Sequence, residues 1–216
     1  RCAAPSATDP SRRSSALRLA NAICLALAVV AGPTVARRDV VVYVLSPLSK
    51  FEVKTGKAGL LGFAGHEHVI RARAFSGRIE YQSAAPADSK VEVVVPTDSL
   101  EVLTPPDTEE IRKVTATMRT DVLDVAHYPE IRLTSRSVEP SNDHLRIVAS
   151  LTIKGVTREV PLDVQLTIAS DTLRATATFA VKQTDFGIRP YRGGPGGTVR
   201  VADKVTFDIS AVAVRQ

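Results

Sequence analysis

The chain has 216 residues, of which 44% are hydrophobic and only 5% are aromatic, enough apolar material for one domain with a sizeable core. Its net charge of +5 comes entirely from the segment through Arg38, because the remainder carries 22 basic and 22 acidic residues. A nucleic-acid-binding domain needs a basic surface to neutralise phosphates. The balanced charge after Arg38 therefore argues against nucleic acid as a partner.

The N-terminal segment has the pattern of an export signal. Several arginines precede an apolar run from Leu19 to Ala31, which is too short to span a bilayer comfortably, and small residues follow it up to Ala36. We therefore predict a signal peptide or leader over residues 1–38, one domain over 39–216, and a periplasmic or secreted location. An N-terminal membrane anchor is the alternative.

From Val40 onward, short runs alternate apolar and polar residues, which is the period of a strand with one dry face and one wet face. Connections between the runs are short, which favours antiparallel neighbours and hence a sandwich or a closed barrel. The predicted strands cover residues 40–45, 50–55, 69–81, 91–95, 131–138, 145–153, 159–168, 173–182 and 204–214.

One helix interrupts this pattern after Thr104-Pro105-Pro106-Asp107. Apolar residues then recur at helical spacing, so we expect this stripe to pack on the sheet. The stripe consists of Ile111, Val114, Met118, Val122 and Val125. Lys154-Gly155 and Ser170-Asp171 predict tight turns between strands.

His66-Glu67-His68 is the sharpest local signal for chemistry. Residues at i and i+2 of a strand share a face, so both histidines could present nitrogens to one metal ion. A catalytic zinc site needs a third ligand, and the spacing of His127 and His144 brings neither close. The alternative is that these histidines hydrogen-bond the backbone or a ligand head group. No metal, cofactor or catalytic residue is predicted.

Several segments, in the order in which they occur, resemble motifs of the YceI-like lipid- and polyisoprenoid-binding proteins. The resemblance implies an all-β, lipocalin-like antiparallel barrel of about eight strands, with one helical insertion packed against it. It also implies an elongated apolar cavity that takes a long isoprenoid or other amphiphilic chain, and export to the periplasm or beyond. The matching segments are Gly62–Ile70, Phe75–Ile79, Met118-Arg119, His127–Ile131, Leu151–Arg158 and Gln183–Ile188.

We therefore expect a binding or carrier protein, not an enzyme, for an isoprenoid or quinone-like lipid, with transient contact with a membrane. The sequence is also compatible with a homodimer. The phenylalanines are expected to touch the ligand or close the cavity mouth, with core filling as the alternative, and the histidines to contact a polar head group. The predicted ligand-binding residues are Phe51, Phe63, His66, His68, Phe179 and Phe186.

Two other functions remain open at this stage. One is a metal-assisted hydrolase or isoprenoid-modifying enzyme that uses His66, Glu67 and His68. The other is a solid β-domain that only contacts other proteins. A cavity along the barrel axis would favour the carrier over the solid domain.

Overall fold

A computed structural model of the chain describes residues 39–58, 67–103, 108–193 and 199–216. The predicted leader, residues 1–38, lies outside the described residues. One α-helix, α1 (Thr108–Thr117), continues into a π-helical turn (Met118–Val122). The strands are β1 (Val41–Leu45), β2 (Lys50–Ala58), β3 (His68–Ala72), β4 (Ser76–Tyr81), β5 (Lys90–Pro96), β6 (Leu100–Val102), β7 (Glu130–Ser141), β8 (His144–Ile153), β9 (Val156–Ala169), β10 (Thr172–Lys182), β11 (Arg192–Gly193) and β12 (Val199–Arg215).

The strands close into an antiparallel barrel. Eight of them form a ring in the order β1-β4-β5-β7-β8-β9-β10-β12, and β12 returns to pair with β1. The strands β2, β3 and β6 continue β1, β4 and β5 beyond the ring. For example, β1 and β2 pair along the same edge of β12, where Tyr43 lies opposite Arg215 and Phe51 lies opposite Ile209. The predicted all-β barrel of about eight strands with one helical insertion is confirmed.

One predicted strand was wrong. Residues 69–81 were expected to form a single strand, but residues 73–75 separate β3 from β4. Here the Arg73 backbone N–H donates to the Ser99 carbonyl (3.1 Å). The Ser99 hydroxyl lies within hydrogen-bond distance of the Pro96 carbonyl (2.7 Å) and the Ala74 carbonyl (3.1 Å). The neighbouring strands break at the same level, so the sheet bends there as a unit. The alternation also missed β6 and β11, which are too short to show a period.

The alternation along each strand separates an apolar inner face from a charged outer face. On β2, Glu52 points outward, where its carboxylate accepts from Arg71 Nε at 2.8 Å. Lys54 Nζ lies 2.5 Å from Asp208 Oδ2, and this hydrogen bond holds the pKa of Asp208 below its usual value. Such exposed pairs contribute little to stability. Arg71 therefore lies on the outer face of the sheet with Glu52.

The predicted helical stripe packs against the main core of the barrel. Met118 is buried, and the other four members of the stripe are partly buried against the same core. Val125 lies beyond the π-helical turn, which ends at Val122. The Lys154 ammonium donates to the Val122 carbonyl at 3.0 Å and so ties a hairpin to the end of this helical segment. Within the described ranges, no helix has the length and apolar character needed to cross a membrane.

That hairpin confirms the predicted turn at Lys154-Gly155. Both residues have positive φ, 49° and 72°, as a type I′ turn between twisted strands requires. A Cβ on Gly155 would lie 2.7 Å from Tyr128 Cε1. Position 155 therefore requires glycine for two independent reasons: its positive φ and its contact with the ring of Tyr128, which precedes β7. Ser170, in the second predicted turn, also has positive φ, at 51°.

Gly155→Ala should destabilise the fold more than Gly187→Ala. Both glycines have φ near 70°, but a Cβ on Gly187 would meet nothing within 4 Å. Gly187→Ala then carries only the left-handed backbone penalty, about 1–2 kcal/mol. Gly155→Ala adds the clash with Tyr128. Urea unfolding of both variants measures the difference, and equal losses would contradict the packing of Tyr128 on Gly155.

Candidate functional site: an apolar cavity inside the barrel

The barrel holds a partly open cavity of about 160 Å³, room for about five water molecules at roughly 30 Å³ each. Its wall is formed mostly by inward Val, Ile, Leu, Ala and Phe side chains from the strands of the ring. Among the described residues, the polar ones that reach it are Glu52, Tyr81, Ser89 and Thr176. The space is thus lined almost wholly by hydrocarbon.

Partial exposure of inward residues reflects the same hollow. On β10, Leu173 is 1% exposed, whereas Ala175, Ala177 and Phe179 on the same inner face are only partly buried. All four line the cavity. By contrast, Ala149 on the inner face of β8 is 0% exposed and belongs to the packed core. The axis is therefore open beside the middle of β10 and filled beside Ala149.

Aromatic rings form one part of the wall. Phe179 of β10 stacks on Phe207 of β12, with centroids 4.8 Å apart and an interplanar angle of 7°. Phe51 of β2 packs on Phe75 at 4.8 Å with an interplanar angle of 57°. Phe51, Phe179 and Phe207 all line the cavity. Sequence reasoning missed Phe207, although the alternation along β12 already placed it on the same face as Val205 and Ile209.

Phe186 occupies a different position from the other two described phenylalanines predicted to bind ligand. It ends a 3₁₀ turn over Gln183–Phe186, is 1% exposed, and lies in the core with Ile188. The residues that line the cavity do not include it. The structure therefore brings Phe51 and Phe179 together at the cavity and places Phe186 in packed protein.

Asp203 of β12 holds the turn that carries Phe186. Its carboxylate accepts from the Thr184 backbone N–H at 2.9 Å and from the Thr184 hydroxyl at 2.7 Å. Gln183 Nε2 donates to the Ala202 carbonyl at 2.8 Å. These bonds from Thr184 lower the pKa of Asp203 and fix the turn against an irregularity in β12.

The predicted histidine site is described only in part. Phe63 and His66 lie outside the described residues. His68 lies on β3 in the same inward row as Ile70 and Ala72, which line the cavity. The backbone N–H of His68 donates to Thr55 Oγ1 at 3.2 Å. In the ranges that the structure covers, no three His, Cys, Asp or Glu side chains are grouped to hold a metal ion.

The other two histidines pair with nearby carboxylates. His127 Nδ1 lies 2.8 Å from Asp124 Oδ1, and His144 Nδ1 lies 3.1 Å from Asp143 Oδ1. Asp143 has a lowered pKa, chiefly because of the hydrogen bond with His144. The contact of His127 is local, whereas His144 also faces the neighbouring strand, with Nε2 3.9 Å from Asp163 Oδ1.

Several solved structures share this antiparallel barrel fold. The crystal structure of BcnA from Burkholderia cenocepacia has a TM-score of 0.60 at 18% identity, covering 76% of this chain and 96% of that one. A polyisoprenoid-binding domain from Saccharophagus degradans has a TM-score of 0.58 at 13% identity, covering 82% of this chain and 100% of that one. At these identities the likeness establishes the fold.

The family follows from the sequence match. The YceI-like domain matches residues 49–213, and the chain belongs to this family. Protein YceI of Escherichia coli O157:H7 is 34% identical over 92 residues, which is 43% of this chain and 45% of that protein. The YceI protein of Salmonella arizonae is 32% identical over the same length. The matched segment thus spans less than half of these curated relatives, and the family resemblance is confirmed.

Ala177→Leu should be tolerated, whereas Ala149→Leu should not. The added atoms at Ala177 enter empty space, so we expect a loss of less than about 1 kcal/mol in the free energy of unfolding. At Ala149, overpacking should be unfavourable by about 1–3 kcal/mol. Thermal and urea unfolding check the contrast. A penalty at Ala177 as large as that at Ala149 would indicate a filled barrel.

Asp203→Ala should destabilise the protein near neutral pH and have less effect in acid. Hydrogen bonds from Thr184 hold the folded-state pKa of Asp203 below its ordinary value, so the stabilisation is fully present above the unfolded pKa. The stabilisation disappears as the pH falls through the folded pKa. Unfolding midpoints of wild type and variant should therefore converge below about pH 4. Asp171→Ala, at an exposed turn, is the control, and an undiminished gap in acid would refute the role of the charge.

Proposed function

We propose that this protein binds a long-chain isoprenoid or a similar amphiphilic lipid inside the barrel and carries it through an aqueous compartment outside the cytoplasm. The observation that carries the proposal is the hydrocarbon-lined cavity on the barrel axis. The YceI-like family match and the structural likeness to a polyisoprenoid-binding domain support the same class of ligand. The leader pattern before Arg38 supports export.

The energetics of such binding depend on buried area. Each methylene group removed from water contributes about 0.8 kcal/mol, so ten contribute about 8 kcal/mol before the free-energy penalty of ordering the chain. No directional bond is needed for this term. The length and shape of the cavity then select among apolar chains.

The described residues suggest how a lipid would lie in the cavity. Phe51, Phe179 and Phe207 offer flat apolar surfaces to a chain with planar double bonds. His68 and Thr55 lie opposite one another on β3 and β2, on the inward rows of the two strands. We propose that they contact a polar head group, together with Phe63 and His66.

We further propose that the protein binds its ligand without altering it. General acid–base catalysis needs a titratable group within hydrogen-bond reach of the substrate. His68 is the described titratable side chain that we place at the head group, and the cavity around the apolar chain adds few others. Of the polar residues at the cavity, Glu52 directs its carboxylate outward to Arg71, and Ser89 Oγ accepts the Gln82 N–H at 3.1 Å. An extracted ligand should therefore have the same mass before and after incubation with the protein.

The direct test is organic extraction of the protein purified without detergent, followed by mass spectrometry. A stoichiometric hydrophobe is expected, and Ala177→Phe should reduce its recovery at least tenfold because the new ring occupies the cavity. Ala180→Phe is the matched control, since Ala180 is exposed on the outer face of the same strand. Repeated absence of a ligand, together with no binding of a long-chain isoprenoid quinone, would refute the proposal.

A further inference from the structure

Like charges lie opposite one another at the N-terminal end of β12. Arg200 pairs with Arg192 of β11, and Lys204 pairs with Lys182 of β10. Directly opposed like charges destabilise a sheet. In the described strands, these are the two places where cations are cross-strand partners, and they lie within five positions of each other on one strand.

The rest of the barrel follows the opposite rule. Charged cross-strand partners elsewhere are mostly of opposite sign, as in Arg78 with Glu92 and Arg146 with Asp163. One acidic pair, Glu52 with Asp208, is relieved because each carboxylate has its own cation, Arg71 or Lys54. The cationic pairs on β12 are therefore a local exception in a domain whose charge is otherwise balanced.

The same end of the barrel carries another exposed cation and an exposed aromatic residue. Arg189 is exposed, and Tyr191, between Arg189 and Arg192, is 45% exposed. The acidic groups in these segments are Asp185 and Asp203. Asp203 accepts two hydrogen bonds from Thr184 and keeps its negative charge beside Lys182, so the cations of these segments outnumber the carboxylates by five to two. We call this surface the basic face, defined by Lys182, Arg189, Arg192, Arg200 and Lys204.

We propose that the basic face docks the protein on a membrane whose surface carries anionic phospholipids. Each arginine or lysine near such a surface adds a similar increment of electrostatic attraction, and a guanidinium group can bind phosphate oxygens through two parallel hydrogen bonds. An exposed tyrosine is amphipathic, with an apolar ring and a polar hydroxyl, and suits the head-group region of a bilayer. An acidic protein is the competing partner for the same charges, and polyglutamate stands in for it in the test below.

The inference rests on the proposed function, because a lipid carrier must collect or deliver its ligand at a bilayer. Beyond ligand binding, the protein would then have a second site, at one end of the barrel, that contacts phosphate head groups. Charge also explains how contact can be reversible, since electrostatic attraction of this kind is screened by salt.

Vesicle co-sedimentation of the full chain tests the proposal. The protein should bind phosphatidylcholine vesicles that contain phosphatidylglycerol, should not bind pure phosphatidylcholine, and should dissociate in high salt. Arg189→Gln/Arg192→Gln should lower the partition coefficient roughly 30-fold, the factor expected for two charges. Arg136→Gln/Arg174→Gln removes two exposed arginines elsewhere on the barrel and should change it less than about threefold.

Two further measurements separate this inference from the function on which it rests. Binding of an isoprenoid quinone in detergent solution should be equal in wild type and both double variants. Quinone binding without vesicle binding would overturn the docking surface and leave the carrier intact. Vesicle binding without any quinone or co-purified lipid would support the surface and refute the carrier. Equal losses of vesicle binding in the two double variants, or preference for polyglutamate over vesicles, would overturn the proposal.

Discussion

Closure of the sheet between β1 and β12 is the constraint on which the rest of the structure depends. The pairing from Tyr43–Arg215 to Leu45–Ala213 removes the free edges of the eight-stranded ring. It also turns one face of every strand toward a common axis. Because small residues such as Ala175 and Ala177 occupy that face, closure leaves hydrocarbon-lined space rather than a filled centre.

The cavity and the basic face depend on the same strand, β12. The middle of β12 contributes Phe207 to the cavity wall, and its N-terminal part carries Arg200 and Lys204. Between them, Asp203 fixes the turn that buries Phe186. A strand that extends beyond its partner β10 can therefore line a ligand site and present charge to a surface.

Much of the fold could be predicted, because alternation reports directly which residues face inward. The prediction of a single strand over residues 69–81 was wrong, because the residues at its break bond to Ser99, which is distant in sequence and which no local pattern reveals. At the site, alternation found Phe51 and Phe179 and could have found Phe207. It could not separate Phe186, because an aromatic residue in a packed turn and one on a cavity wall look alike in sequence. The opposed cations on β12 could not be predicted either, because finding them requires the register of the paired strands.

The central claim is that the barrel axis is empty hydrocarbon space, and xenon-pressurised crystals of delipidated protein test it most directly. Dry apolar cavities bind xenon. We expect xenon density inside the ring, in contact with Phe51, Phe179 and the inward alanines of β10. Side chains that fill the axis, with no internal xenon in well-ordered crystals, would contradict it.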